Sequence, residues 1–248
     1  TIDGFERVTV STRIGNNRSD NYFNGIGYLL KKYKKVIFLE DDNTVSSQFL
    51  EYMNSGLDYY KDNMNILAIC GYNPPVEYAT KYKNNDHYLS SYFNAWGYAT
   101  WANRETLEIE KINSQYSELL SNRGLYSKIK RKHPRLIGGL KLINERKLNA
   151  GDYRITFHLI KNDCYVVKPI ISYVNNIGHD GSGVHCDINS NFNDSLSLRS
   201  DINFNCENIE NKIALGRIQN FYKTQKINIF IRVVNKISRL TLGSNIIN

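Results

Sequence analysis

Cysteines and long apolar runs are both scarce in this chain of 248 residues. The four cysteines lie far apart and form no Cys-x-x-Cys pair; they are Cys70, Cys164, Cys186 and Cys206. This distribution argues against a structural zinc site and favours a reducing compartment, the cytoplasm, although a disulfide stays open. No segment approaches the ~18 consecutive apolar residues that a membrane-spanning helix needs.

Acidic side chains are in the minority, with 24 Asp and Glu against 32 Lys and Arg, so the formal net charge is +8. This excess predicts an acidic partner, such as a nucleoside diphosphate, an anionic membrane surface or a nucleic acid, unless it only keeps the protein soluble. The hydrophobic fraction of 41% and the charged fraction of 23% are ordinary for a globular protein. The length then predicts one large domain, or one domain with a tail.

Apolar periodicity predicts alternating strands and helices in the first third of the chain. Strands are expected at residues 7–12, 36–39 and 66–70, with helices at 22–33 and 46–60 between them. This order favours an α/β fold with a mostly parallel central sheet.

The rest of the chain is predicted to hold a mostly helical region at 104–149 and a strand run at 165–174. We expect one folded domain over residues 1–215 and a basic amphipathic helical tail over 216–248. The tail has an apolar face and five basic side chains between positions 223 and 239. Such a helix suits an anionic bilayer interface, or it packs on the folded domain.

Three carboxylates, Glu40, Asp41 and Asp42, directly follow the strand predicted at 36–39. Adjacent acids repel each other, so folding alone gives little reason to cluster them. Mg²⁺ and Mn²⁺ prefer carboxylate and phosphate oxygens, and ligands of open α/β sheets lie beyond the carboxyl ends of strands. The pattern therefore predicts a metal–diphosphate site, with a polar turn as the alternative.

Both tryptophans of the chain stand in the run WGYATW at residues 96–101. The face of Trp96 could stack on a sugar or a base, and Gly97 would let the backbone approach a ligand closely. An aromatic cluster in the core is the alternative.

Two further polar segments are candidates for chemistry. Asp152 follows Gly151 and precedes an apolar segment, so it is either a helix cap or a general base. The glycines of NNIGHDGSGVH, residues 175–185, predict a loop that folds over a phosphate, or else a surface hairpin. His185 is a candidate phosphate donor or metal ligand, or a structural histidine.

Taken in order, these motifs resemble one family. The apolar strand plus EDD is followed by FxxWGYATW, by GDYR and by KPxxS…NIGxDGSGxH, and the segment FLEDDNTVSSQFLEYMNSGLDYY matches best. Over most of residues 8–186 the chain is similar to bacterial sugar transferases related to the N-acetylglucosaminyltransferase I type. The resemblance implies a GT-A fold, a nucleotide-sugar donor (a UDP-sugar is expected), a Mn²⁺ or Mg²⁺ ion, and inversion at the anomeric carbon.

The resemblance also implies roles for individual residues. Asp42 would contact the metal, and Asp152 stands where the family has its catalytic base. Donor contacts are expected from the other acids, the aromatic motif and the glycine-rich loop that would close over the donor, namely Glu40, Asp41, Trp96, Gly97, Gly181, Ser182, Gly183 and His185.

The chain departs from the family pattern at its start. Folds of this family normally begin with a strand–helix–strand unit that holds the nucleotide base, whereas this chain starts at about the family's third strand. We therefore expect either a longer natural protein or a chain that cannot bind donor in the usual way.

The resulting expectation is an inverting, metal-dependent glycosyltransferase that acts on a glycan or lipid-linked acceptor in bacterial surface polysaccharide synthesis. It would work in the cytoplasm or peripherally on the inner face of the cell membrane. A catalytically inactive transferase-like scaffold is one alternative. A basic nucleic-acid-binding module using residues 128–135 is another, although clustered carboxylates repel phosphates unless a metal intervenes.

Overall fold

The computed structural model describes residues 4–10, 18–76, 86–178, 195–205 and 210–224. Within these ranges the chain forms a five-stranded sheet, a two-stranded sheet and eight α-helices. The strands are β1 (Lys35–Phe38), β2 (Asn43–Val45), β3 (Ile66–Cys70), β4 (His87–Ser90), β5 (Tyr98–Trp101), β6 (Tyr165–Pro169) and β7 (Val174–Asn176). The helices are α1 (Arg18–Tyr33), α2 (Phe49–Tyr59), α3 (Thr106–Lys111), α4 (Gln115–Ser121), α5 (Arg123–Lys132), α6 (Pro134–Asn144), α7 (Gly151–Asn162) and α8 (Lys212–Thr224).

The central sheet has the order β1-β5-β3-β6-β4, and of its strand pairs only β3 and β6 run parallel. The fold is therefore mixed α/β, as expected, but the prediction of a mostly parallel sheet is wrong. Two strands are responsible: β4 pairs antiparallel with β6, and the aromatic motif forms β5. This strand pairs antiparallel with β1 on one side and with β3 on the other, Ala99 lying opposite both Ile37 and Ile69.

The first strands and helices follow the apolar pattern closely. β3 spans Ile66–Cys70 as predicted, and all five of its residues are buried. α1 includes the helix predicted at 22–33, and α2 forms residues 49–59 of the helix predicted at 46–60, burying Phe49, Met53 and Leu57 against the sheet. Residues 7–10 form no strand; Val8 and Val10 are exposed there, so their apolar character did not reflect burial.

The predicted helical region 104–149 contains α3 to α6. α4 to α6 pack with α7 around a second group of buried side chains such as Leu119, Leu136 and Phe157, whereas α3 packs on α7 through Ile109. α8 lies against β4 and the segment after it, through Ala214 and Ile218. This helix continues across position 216, where the tail was predicted to begin, and residues 225–248 lie outside the described residues.

In the described part of the chain, every helix is too short or too polar to traverse a lipid bilayer.

Candidate functional site

Three strands of the central sheet, β1, β3 and β6, point the same way, so their carboxyl ends meet at one edge. Glu40 follows β1, Cys70 ends β3, and Lys168 lies near the end of β6. Asp152 in the first turn of α7 is within electrostatic reach of all three. This edge therefore joins residues from four separate parts of the sequence.

The carboxylate segment is a tight turn between β1 and β2. The backbone N–H of Glu40 donates to Oδ1 of Asn43 at 3.2 Å, and the N–H of Asn43 donates to the carbonyl of Glu40 at 3.1 Å. Asn43 Nδ2 also donates to Oδ1 of Asp42 at 2.9 Å. Asp41 is exposed at the tip of this turn, while Glu40 and Asp42 are half-buried. The turn thus presents three acids in different degrees of contact with solvent.

Asp42 lies against the beginning of the glycine-rich segment. Its carbonyl accepts a hydrogen bond from the N–H of Ile177 at 2.8 Å, where β2 pairs with β7. A side-chain Cβ at Gly178 would come within 2.5 Å of Asp42 Oδ2, so a larger residue there would displace the Asp42 carboxylate. Two motifs that are far apart in sequence are therefore in contact. The predicted donor residues Gly181, Ser182, Gly183 and His185 lie outside the described residues.

Among the described residues, no group of three or more His, Cys, Asp or Glu side chains is arranged to hold a metal. Mg²⁺ is commonly held by one or two carboxylates together with substrate phosphates, and it then needs no such cluster. The half-buried carboxylate of Asp42, with hard oxygen atoms beside the backbone of Gly178, fits that kind of shared site.

Asp152 does not cap its helix. The N-cap position of α7 is Ala150, and Asp152 is the second residue of the helix. Its Oδ2 accepts a hydrogen bond from the N–H of Ala95 at 3.4 Å, and Thr156 Oγ1, one turn later, accepts from the N–H of Phe93 at 3.3 Å. The carboxylate is therefore directed at the segment between β4 and β5, which carries the aromatic motif.

Burial raises the pKa of Asp152 to about 6. The N–H of Ala95 and the charge of Lys168 oppose this rise, and the nearby charge of Glu40 adds to it. Lys168 is itself buried, donates to the carbonyl of Tyr72 at 3.1 Å, and has its own pKa lowered by burial. A carboxyl group with a pKa close to neutrality is suited to general-base catalysis.

The structure gives Trp96 and Gly97 different surroundings. Trp96 is half-buried and meets the ring of Tyr72 edge to face, with centroids 4.6 Å apart. Gly97 has a φ of +59°, and a Cβ there would lie 2.7 Å from Cγ2 of Val174. Internal packing therefore accounts for this glycine, and its contact with a donor remains a prediction.

A pocket of about 280 Å³ lies beside Asp152. Trp96 lines it, as does Tyr92 of the same segment, and Arg135 and Tyr222 contribute from α6 and α8. The sequence reasoning missed Tyr92, Arg135 and Tyr222 as site residues. Arg135 stood in a basic cluster assigned to a possible nucleic-acid surface, and Tyr222 in a segment assigned to the tail, so only the tertiary structure reveals their place.

The sequence reasoning also missed a second buried acid behind Asp152. Glu110 accepts a hydrogen bond from Tyr22 at 2.7 Å, and the Tyr22 hydroxyl lies 2.7 Å from that of Tyr98. Burial raises the pKa of Glu110 to about 7. A Cβ at Gly151 would collide with the Glu110 carboxyl group, so this network sets how closely α7 approaches α3 just before Asp152.

Comparison with models of known protein families finds no match to this chain, and no curated protein matches it.

Proposed function

We propose that this protein is an inverting, metal-dependent glycosyltransferase with a GT-A-type nucleotide-sugar site. The main support is the position of Asp152, a carboxyl group with a pKa of about 6 that lies between the acids following β1 and an aromatic pocket. A sugar transferase needs these three parts together: a base for the acceptor, a site for the diphosphate and a surface for sugar rings.

In the proposed reaction, Asp152 removes the proton from an acceptor hydroxyl as that oxygen attacks the anomeric carbon of the donor. The bond from this carbon to the diphosphate breaks, and the configuration at the carbon inverts. A Mg²⁺ or Mn²⁺ ion held by Asp42 would neutralise charge on the departing nucleoside diphosphate. Glu40 and Asp41 would hold the ribose and sugar of the donor, which we propose to be a UDP-sugar.

The wider setting is also a proposal, supported by the family resemblance. The acceptor would be a glycan or lipid-linked saccharide of bacterial surface polysaccharide synthesis, reached in the cytoplasm or on the inner face of the membrane. The basic cluster gives little support to the nucleic-acid alternative. Lys128 pairs with Asp163 and Lys132 with Glu210, both at 2.7 Å, while Arg135 lines the pocket.

The deciding experiment combines a binding assay with a turnover assay. Calorimetry with UDP and Mn²⁺ should show metal-dependent binding that Asp42→Asn abolishes. Release of sugar from UDP-sugars should fall about 10²–10⁴-fold in Asp152→Asn, while UDP affinity stays close to that of the natural protein.

Asp58→Asn is the matched control, because Asp58 lies on the exposed side of α2 in a surface pair with Lys35. It should change neither quantity. An unchanged UDP affinity in Asp42→Asn would remove the metal assignment, and turnover within a few-fold in Asp152→Asn would move the base elsewhere.

A further inference from the structure

We infer that the pocket beside Asp152 is an acceptor subsite, closed by α8, that takes one sugar ring carrying an acidic group, with Arg135 recognising the acid. The inference rests on the proposed function, because it takes Asp152 as the base that must touch the acceptor hydroxyl. It goes further in naming the chemical class of the acceptor and in assigning α8 to the site.

The size and walls of the pocket favour a single ring over a complete nucleotide-sugar. Its volume of about 280 Å³ is just below the roughly 300–1,000 Å³ of typical ligand pockets. Trp96 lines it together with a parallel group of rings: Tyr92 stacks on His133 at 4.0 Å between centroids and lies parallel to Tyr222 at 6.1 Å. Flat aromatic faces suit the apolar face of a sugar.

The charged side chains of the pocket would orient a bound sugar. Asp152 is the acid among its described lining residues and Arg135 the permanent cation, since burial lowers the pKa of His133 to about 3. An acidic sugar would place its acid group at Arg135 and a hydroxyl at Asp152. A neutral sugar would gain the second contact alone.

Contacts with Tyr222 fix the position of the Arg135 guanidinium. Its Nη1 donates to the carbonyl of Tyr222 at 2.8 Å, and the guanidinium lies over the Tyr222 ring, 5.9 Å from the centroid. In the part of the chain that the structure describes, no carboxylate pairs with it. A guanidinium has five N–H donors in a planar fork, so several are left to bind a carboxylate or phosphate.

α8 is fixed over this pocket by polar contacts as well as by its apolar face. Gln219 donates to the carbonyls of Arg131 and Lys132 at the end of α5. Just before the helix, Glu210 pairs with Lys132 at 2.7 Å and accepts a hydrogen bond from the N–H of Ser91 at 2.9 Å. Tyr222 is thereby placed in the wall of the same pocket as Asp152.

The test uses the intrinsic fluorescence of the full chain. Trp96 lines the pocket, whereas Trp101 is 7% exposed in the core and should report little. The protein is titrated, without metal or nucleotide, with the methyl glycosides of glucuronic and galacturonic acid, with their neutral counterparts, and with glucose 6-phosphate and inorganic phosphate. Trp96→Phe should remove the response.

An acidic sugar should bind about tenfold more tightly than its neutral counterpart, which is the effect of a charge-assisted hydrogen bond. Arg135→Gln should remove this preference and leave the weak binding of the neutral sugar, and Arg135→Lys should retain part of it. Arg131→Gln is the control, because Arg131 is exposed in the last turn of α5 and lies outside the described pocket lining. If the fluorescence responds to the uronides, the acidic group of the acceptor sugar is a carboxylate. If it responds to glucose 6-phosphate but not to inorganic phosphate, the acceptor is a phosphorylated sugar.

Equal affinity for acidic and neutral sugars, a preference that survives Arg135→Gln, or no response to any sugar would overturn the inference. Failure of the proposed function gives a different result. Asp42→Asn should abolish sugar transfer and leave these sugar titrations unchanged. If the natural chain binds acidic sugars but shows no transferase activity, the subsite stands and the proposed enzymatic function is wrong.

Discussion

Ionisation of Asp152 destabilises the folded state, because burial disfavours the charged form of its carboxyl group. Its pKa rises from 3.8 to about 6 on folding. The stability that comes from keeping this carboxyl protonated in the folded state is fully present below pH 3.8 and is lost as the pH rises through about 6. Above that pH the ionised carboxylate lowers the free energy of unfolding by roughly 3 kcal/mol. A base retained at such a cost is typical of a functional site.

Asp152→Asn should therefore stabilise the protein as it removes activity. We expect a higher melting temperature for the variant at pH 7–8 and little difference near pH 4, measured by thermal unfolding across this range. Turnover of the natural protein should rise as the pH passes about 6, where the base loses its proton.

The control for this comparison is Asp163→Asn at the other end of α7. Asp163 has a φ of +52°, which asparagine tolerates, and its side chain, paired with Lys128, is 63% exposed. Its melting temperature should shift by a similar small amount at every pH. If Asp152→Asn shows the same flat profile, the Asp152 carboxyl is not desolvated in the folded protein.

At the scale of elements, α8 is held to the domain by few apolar contacts. Ala214 and Ile218 are its buried side chains, packed with Tyr88 and Tyr92. Ile218→Ala should cost about 2–4 kcal/mol of local stability and raise the acceptor KM, because Tyr222 would leave the pocket wall. Hydrogen exchange of the α8 amides together with acceptor titration measures both effects.

Ile213→Ala provides the comparison on the same helix, since Ile213 is 41% exposed. It should alter α8 protection and acceptor KM only slightly. If Ile218→Ala increases exchange in α8 while the acceptor KM stays constant, then α8 is a structural helix with no part in the site.

The elements differ in how far the sequence predicts them. β1 and β3 are short apolar runs ended by acids or glycine, and the helices of residues 104–149 repeat apolar side chains with helical spacing, so local physics places both. β5 could not be placed in this way, because strand direction depends on non-local pairing. Its apolar and aromatic residues suit a buried strand and a ligand surface equally well.

At the scale of the whole molecule, only part of the candidate site could be predicted from the sequence. Asp42 and Asp152 could be predicted because they lie in motifs that resemble the transferase family, although a polar turn and a helix cap were open alternatives for them. Arg135 and Tyr222 do not stand out, since each lies in a segment whose local pattern suggests a surface role. Tyr222 enters the pocket because α8 packs beside β4, and Arg135 enters it because α6 packs against α7.

The position of α8 also determines how membrane association should be tested. Residues 225–248 carry four basic and no acidic side chains, half of the net charge of +8. A deletion of these residues keeps α8 and Tyr222 in the chain, so it tests the predicted tail and retains the described residues of the pocket. Each basic residue near an anionic surface contributes about 1 kcal/mol, so the shortened chain should lose its binding to phosphatidylserine vesicles in a co-sedimentation assay.

A full-length variant with Lys226, Arg232, Lys236 and Arg239 changed to Gln separates charge from apolar insertion. It should bind the same vesicles much more weakly, and the binding of the natural chain should fall as salt rises, because exposed charges are screened. Acceptor-sugar titration of the shortened chain serves as the control for an intact pocket. If the shortened chain aggregates, or if the natural chain does not bind anionic vesicles, the segment packs on the domain, and the enzyme must reach its acceptor without a lipid-binding tail.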